Sequence, residues 1–269
     1  MDPVRITPDD VVVTTSRSPD GHSLGHAADI AEEIGCPFLS RSHESLDVVR
    51  ENTGRQHVIV VTSEEVRLVS STDTFWFHPN MARSRIEAVL RREVDRLAAF
   101  MELKRGDRFL DVTCGLGADA ITAAHVVGDE GHVMAVERSP ILSAIVRHGM
   151  KIYKHRTDEV VSAMRRVEVV TADSADFLTS QDDGSWDVVY FDPMFKRTVK
   201  RSKGLEVVRA LGWSGPTTTE HIGEARRVAK RYVVMKDGSP GHKLKELGFD
   251  SVSINGRICY GRIGPRPKQ

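Results

Sequence analysis

Between residues 108 and 195 one device recurs four times: a short apolar run reaches an acidic residue, and a glycine, serine or proline follows within a few positions. The runs are "RFLDVT" (108–113), "HVMAVE" (132–137), "VEVV" before "TAD" (167–173) and "DVVYFDP" (187–193). Each reads as a strand buried on both faces. Helical patterns lie between and after them in "ADAITAAHVV", "PILSAIVRHGMKIYKH" and "TEHIGEARRVA", and "RYVVMKD" supplies a further strand. Such alternation predicts a largely parallel sheet covered by helices. Parallel sheets present their ligands at the carboxyl ends of the strands, so the acids mark a polar rim. In the tail, "DSVSINGRICYGRIG" has an N-G turn between β-type runs, which predicts a closing antiparallel hairpin.

Upstream, "VVVTT" (11–15) reads as a strand and "SLGHAADIAEEIG" (23–35) as an amphipathic helix ended by glycine. "PFLS" is a short strand candidate, "SLDVVRENTG" a short helix and "HVIVVTSEEVRLVS" (57–70) two strands around a turn. Residues 1–79 therefore read as a small α/β domain. From 80 to 103, Ile86, Val89, Leu90, Val94, Leu97, Ala98 and Met101 recur at helical spacing, predicting one long connector helix into a second domain, 80–269. The 269 residues, 40% apolar and 28% charged, suit a soluble protein of this size. Apolar runs are too short to span a bilayer and no export leader stands out, which places the chain in the cytoplasm. Three widely spaced cysteines, Cys36, Cys114 and Cys259, form no C-x-x-C pair and suit a reducing compartment.

At the rim, "LDVTCGLGADA" (110–120) ends a strand at Asp111 and turns through Gly115 and Gly117 into a helix. Glycines there let the backbone bend tightly and approach a ligand, although many folds use such a turn only for packing. The G-x-G spacing disfavours a dinucleotide site, and no G-K-[ST] follows to make a P-loop. Glu137 ends the next strand, where a carboxylate can accept both hydroxyls of a ribose; the plainer reading is a cap for the helix opening at Pro140. Asp173 and Ser174 can read an adenine edge, cap a helix, or do both. Asp192 ends the fourth strand, Pro193 stops the ladder, and Phe195 offers a flat face to a base. A neutral exocyclic amine needs such acceptors to hold its N–H groups and aim its lone pair.

These boxes carry a resemblance. "D-V-T-C-G-L-G-A-D", "E-R-S-P", "A-D-S" and "D-P-M-F" are similar to those of the S-adenosylmethionine-dependent class I methyltransferases, and "D-P-M-F" resembles the [N/D]-P-P-[Y/F] box of their amino-methylating branch. More narrowly, "MARSR", "LDVTCGLGADA", "VERSP", "VVYFDPMF" and "AKRYVVMKDGSP" resemble, in order and wording, the RsmJ-type guanine-N2 methyltransferases of 16S ribosomal RNA, over roughly residues 80 to 262. The resemblance implies a Rossmann-like sheet beside a small N-terminal α/β domain, and S-adenosylmethionine as cofactor. It places Asp111, Gly115, Gly117, Ala118, Asp119, Glu137, Arg138, Asp173, Ser174 and Asp192 around that cofactor, with Asp192, Pro193, Met194 and Phe195 facing the target base. Two departures are local: Ala118 replaces an arginine of the family's "A-T-A-G-L-G-R-D", and lysine follows "D-P-M-F" where the family has proline. The first eighty residues match poorly, and that region is a candidate for choosing the substrate.

Net charge is zero, yet "KRTVKRSK" (196–203) follows the D-P-M-F box, so Lys196, Arg197, Lys200, Arg201 and Lys203 are expected to meet RNA phosphates. The arginines at 83, 85, 91, 92 and 96 alternate with acids and read as a solvated helix face. His22 and His26, with Asp29, lack a fitting fourth ligand; surface histidines are expected, and no metal. Cys114 reads as a small apolar residue packing under the turn. The expected partner is ribosomal RNA or the small ribosomal subunit, with no membrane. Rival readings are a methyltransferase of a protein or small molecule, a non-catalytic RNA-binding protein of this fold, and a nicotinamide dehydrogenase, the last disfavoured by the missing third glycine.

Overall fold

The computed structural model describes residues 5–193, 207, 210–212, 215–253 and 256–267. Along the chain run β1 (Val11–Thr15), α1 (Gly21–Ile34), α2 (Leu46–Thr53), β2 (His57–Val61), β3 (Val66–Val69), β4 (Thr74–Trp76), α3 (Asn80–Leu90) and α4 (Arg96–Phe100). Then come β5 (Arg108–Asp111), α5 (Ala118–Val127), β6 (His132–Glu137), α6 (Pro140–Ile152), α7 (Asp158–Arg165), β7 (Val167–Thr171) and α8 (Ser174–Ser180). The last elements are β8 (Trp186–Phe191), α9 (Thr219–Val228), β9 (Ala229–Gly238), α10 (His242–Glu246), β10 (Asp250–Ser253) and β11 (Ile258–Ile263). Two compact units form: one from the described parts of Met1–His78, Ser139–Arg156 and Lys200–Gly212, the other from the rest.

The first unit is built on a four-stranded sheet, β1-β2-β3-β4, parallel between β1 and β2 and antiparallel beyond. The expected strand at "PFLS" shrinks to one bridge, Val13 to Phe38. Asp20 caps α1 by accepting from Ser23 N at 2.7 Å, and Gly35 ends it at φ 77°, a left-handed conformation that glycine adopts without Cβ strain. Ala27, Ile30, Ala31 and Ile34 form its buried stripe. Helix α6 belongs to this unit, and a Cβ on its Gly149 would lie 2.3 Å from Cβ of Phe77. Gly149→Ala is therefore expected to destabilise the protein by about 1–3 kcal/mol through overpacking. Gly25→Ala, in α1 with nothing within 4 Å of the new methyl, should stabilise by about 0.5–1 kcal/mol. Thermal melts of the two variants check the contrast.

The second unit contains the doubly wound, Rossmann-like sheet that the alternation predicts, in the order β10-β11-β9-β8-β5-β6-β7. Strands β7, β6, β5, β8 and β9 pair in parallel, and β11 runs antiparallel between β9 and β10, closing the expected hairpin. Trp186, Tyr190 and Phe191 of β8 are at most 2% exposed, as a central strand covered on both faces requires. Strand order reverses at β5, which lies between β6 and β8.

The single helix expected over 80–103 is two. α3 stops at Leu90, Arg92 takes φ 68°, and Asp95 starts α4 by accepting from Ala98 N at 2.8 Å. Arg85 grips both carboxylate oxygens of Asp95 at 2.7 and 2.9 Å, folding the corner on itself. Leu90 and Val94, placed on the apolar stripe by spacing, are 45% and 75% exposed. A local cap and ion pair outweigh periodicity here. Three elements, β4, α7 and α10, have no counterpart in the sequence patterns.

Candidate functional site: a polar rim at four strand ends

Because β8, β5, β6 and β7 are neighbours in that order, their carboxyl ends bring Asp192, the 113–117 turn, Glu137 and Asp173 side by side. The turn is tied to the strands on either side. Thr113 donates to Asp111 Oδ1 from its N–H (2.9 Å) and its hydroxyl (3.2 Å). The same hydroxyl oxygen accepts the Asp192 N–H at 2.6 Å, coupling β5 to β8. On the other side Cys114 N donates to Val136 O at 2.9 Å, and Gly115 N to Glu137 Oε2 at 3.1 Å. Gly115 and Gly117 adopt φ 53° and 71°, and Gly117 opens α5. Cys114 is buried, as expected.

Glu137 is 7% exposed at the end of β6, and Ser139 caps α6 by accepting from Leu142 N at 3.3 Å. Asp173 caps α8 by accepting from Ala175 N at 2.9 Å and pairs with Arg138 at 3.1 Å, with Ser174 the first residue of that helix. Asp111 lies beneath the turn at 2% exposure. Ala118 and Asp119 begin α5, and the Asp119 carboxylate accepts from Tyr190 Oη at 3.0 Å and from Arg85. Pro193 ends the described part of this rim. Met194, Phe195, Lys196, Arg197, Lys200, Arg201 and Lys203 lie outside the described residues.

Asp192 has a partner that the sequence reading missed. Lys236 Nζ donates to its Oδ2 at 2.5 Å, while Oδ1 makes no hydrogen bond with a described residue and the side chain is 27% exposed. The Phe191–Met235 register of β8 on β9 sets the two side by side. A lysine at the end of an apolar run, "VVMK", next to a parallel strand ending in aspartate was the available signal. Burial raises Asp192 above the ordinary carboxylate range while Lys236 restrains the rise. For Lys236 burial works against the charge, but Asp192 and Asp119 outweigh it and the ammonium is held. Arg85 likewise stays charged against burial because Asp95 and Asp119 face it. Of the connector arginines read as a solvated face, this one is internally paired.

Burial pushes Asp111 up to about 8, and the Asp119 and Asp192 carboxylates add to the rise. The folded protein thus keeps a proton on Asp111 that the unfolded chain releases near pH ~4. The stabilisation this gives is complete below pH ~4 and lost as pH climbs to about 8. Asp111→Asn, always neutral, should gain several degrees in Tm over the parent between pH 5 and pH 8, measured as the difference between paired melts. A constant difference across that range would mean that the buried carboxyl is not the cause.

His26 is not a surface histidine as expected: its Nε2 meets His148 Nδ1 at 2.5 Å, both in the first unit, and burial lowers its affinity for a proton. Among the described residues no group of three or more His, Cys, Asp or Glu side chains could hold a metal ion. None of the described helices is long and apolar enough to cross a membrane.

The donor set fits a nucleoside cofactor. A turn with glycines at 115 and 117 adjoins two strand-end acids, one nearly buried, where ribose hydroxyls and an amino-substituted base need acceptors. Comparison with known proteins agrees. Residues 47–256 match the family described as "Putative SAM-dependent methyltransferase". The Bacillus subtilis protein YpiP, described as uncharacterized, is 34% identical over 95% of this chain and 100% of its own length. Ribosomal RNA small subunit methyltransferase J of Thioalkalivibrio sulfidiphilus is 32% identical over 52% of this chain, and that of Laribacter hongkongensis 34% over 47%. The chain spans about half the length of these two, 56% and 45%. A crystal structure of a SAM-dependent methyltransferase from Neisseria gonorrhoeae shares the fold, with a TM-score of 0.63 over 96% of this chain and 97% of its own at 15% identity. With the family model spanning most of its length, this chain belongs to the SAM-dependent methyltransferase family and uses S-adenosylmethionine as its cofactor.

Proposed function

We propose that this methyltransferase acts on an exocyclic amine of RNA, guanine N2 of small-subunit ribosomal RNA, in the cytoplasm. One observation carries the reading: at the switch point of the sheet, Asp192 has one oxygen held by Lys236 and the other without a described hydrogen-bond partner. S-adenosylmethionine, when bound, supplies a methyl group activated by its sulfonium. The chain's own work is then alignment and exclusion of water. Asp192 Oδ1 and the carbonyl at Pro193 accept the amine N–H groups and turn the lone pair toward the turn at Gly115–Gly117. Glu137 receives the ribose hydroxyls, and Asp173 with the Ser174 N–H reads the adenine edge. To Met194 and Phe195 this reading gives the role of facing the base, and to the basic run from Lys196 to Lys203 that of meeting phosphates. A guanine inside a duplex must be extruded to reach this place. The relatives named ribosomal RNA small subunit methyltransferase J support RNA as the substrate.

The test uses tritium-labelled cofactor with ribosomal subunits from cells lacking this protein. Label in a single guanine of small-subunit RNA is the expected result. Label confined to protein or to small molecules would overturn the RNA assignment while leaving the methyltransferase intact.

A further inference from the structure

Within the first unit the side chains of Arg17, Arg41 and Arg67 lie near one another. In the antiparallel pairing of β3 with its neighbours, Arg67 lies opposite Trp76 of β4 and opposite Val60 of β2. Direct cross-strand partners share a face, so the side chains of Arg67 and Trp76 leave the sheet on the same side. Trp76 is 46% exposed, a broad ring on the last strand of that sheet. Arg41 is 9% exposed. Its Nε donates to Glu44 O at 2.6 Å, and no carboxylate of a described residue pairs with it. Burial, then the nearby charges of Arg17 and Arg67, disfavour its protonated form. Arg17 is exposed and makes no hydrogen bond or ion pair with a described residue. Arg67 pairs with Glu65 at 3.0 Å, yet its Nε is buried with no partner among the described residues.

Of these three guanidiniums only that of Arg67 is paired with a carboxylate among the described residues, and the exposed indole shares its pocket with Glu64 and Glu65. Clustering like charges with one half-desolvated is unfavourable unless an anion offsets it. Guanidinium forks match phosphate oxygens in pairs, and an exposed indole is a platform for a base. We propose that this face of the first unit binds a single-stranded segment of RNA, its phosphates at Arg17, Arg41 and Arg67 and one base stacked on Trp76. This deepens, and rests on, the reading of RNA as the substrate. An acidic peptide without aromatic residues would use the arginines but leave Trp76 without a stacking partner.

The experiment measures anisotropy of a fluorescent single-stranded RNA on the full chain across ~50–200 mM salt, for the parent, Arg17→Gln, Arg41→Gln and Trp76→Ala. Each arginine variant should weaken binding and lower the slope of log affinity against log salt by about one. Trp76→Ala should weaken binding by about 5- to 100-fold with the slope kept. S-adenosylhomocysteine titrations should be unchanged throughout. Arg17 and Trp76 are exposed, so these two variants report even if Arg41→Gln does not fold. Unchanged RNA affinity and slope in Arg17→Gln and Trp76→Ala overturns the proposal, and ribosomal RNA still methylated by both would show that the catalytic reading stands without it. RNA binding that depends on these residues, with no label transferred to RNA, supports the face and sinks the catalytic reading instead. Polyglutamate displacing RNA as well as unlabelled RNA does would reassign the face to an acidic protein and overturn the proposal.

Discussion

Asp192→Ala is expected to slow methyl transfer more than a hundredfold, about 3 kcal/mol of barrier, with S-adenosylhomocysteine still bound. The carboxylate stands at the end of β8 and would hold the amine only through the oxygen that Lys236 leaves open. Asp192→Asn tests the geometry more closely. Lys236 brings only donors, so the amide must turn its oxygen toward Nζ and present its own N–H groups to the substrate amine. Donor then faces donor, and the asparagine variant should be nearly as slow as alanine. Lys236→Met in that background frees the amide to rotate, and the double variant should recover at least tenfold over Asp192→Asn. Lys236→Met alone leaves the carboxylate without the cation that restrains its rise. The acid limb of its pH–rate profile should therefore move to higher pH. Asp192→Ala also strands a mostly buried ammonium, so its folded fraction must be measured beside the rate; the asparagine variant keeps an acceptor for Lys236. An asparagine variant as fast as the parent would remove the proposed clamp.

What was legible in the sequence follows from what period and punctuation encode. Strands β5, β6, β7 and β8 were readable because each is a short apolar run ended by a polar residue, and the alternation with helices makes them parallel; that β8 pairs with β5 and not with β7 is not encoded in the alternation. Asp192, the glycine turn, Glu137 and Asp173 do meet at one rim because the strands are parallel. Thr113 and Lys236 were not foreseen because their importance depends on pairing across strands: Thr113 bridges Asp111 to the Asp192 N–H, and Lys236 reaches Asp192 from β9. The break at Arg92 was hidden for the opposite reason. Leu90 and Val94 keep helical spacing, but Asp95 finds both a cap position and Arg85, and those local bonds win over a weak stripe. His26 shows the same blindness, since its partner His148 is 122 residues away.

Glu137→Ala should weaken cofactor binding by about a hundredfold or more, read by calorimetry with S-adenosylhomocysteine. Two hydroxyls accepted by one carboxylate are charge-assisted bonds of about 1.5–3 kcal/mol each, and the alanine loses both. It also releases the Gly115 N–H from Oε2, so the turn loses one of its ties to β6. Glu137→Gln separates the two contributions. Its single oxygen can keep either Gly115 or a ribose hydroxyl, so an intermediate loss with an unchanged melting temperature points to the ribose. A full loss accompanied by a lower melting temperature points to the turn instead. Asp173→Ala is the comparison at the next strand end: it gives up the α8 cap, about 1 kcal/mol, and the pair with Arg138, while Glu137 stays in place. Its effect on cofactor affinity should therefore be smaller than that of Glu137→Ala. Equal affinity for parent and Glu137→Ala would mean that the nucleoside is held elsewhere on the rim, and the order of roles along the four strand ends would have to be redrawn.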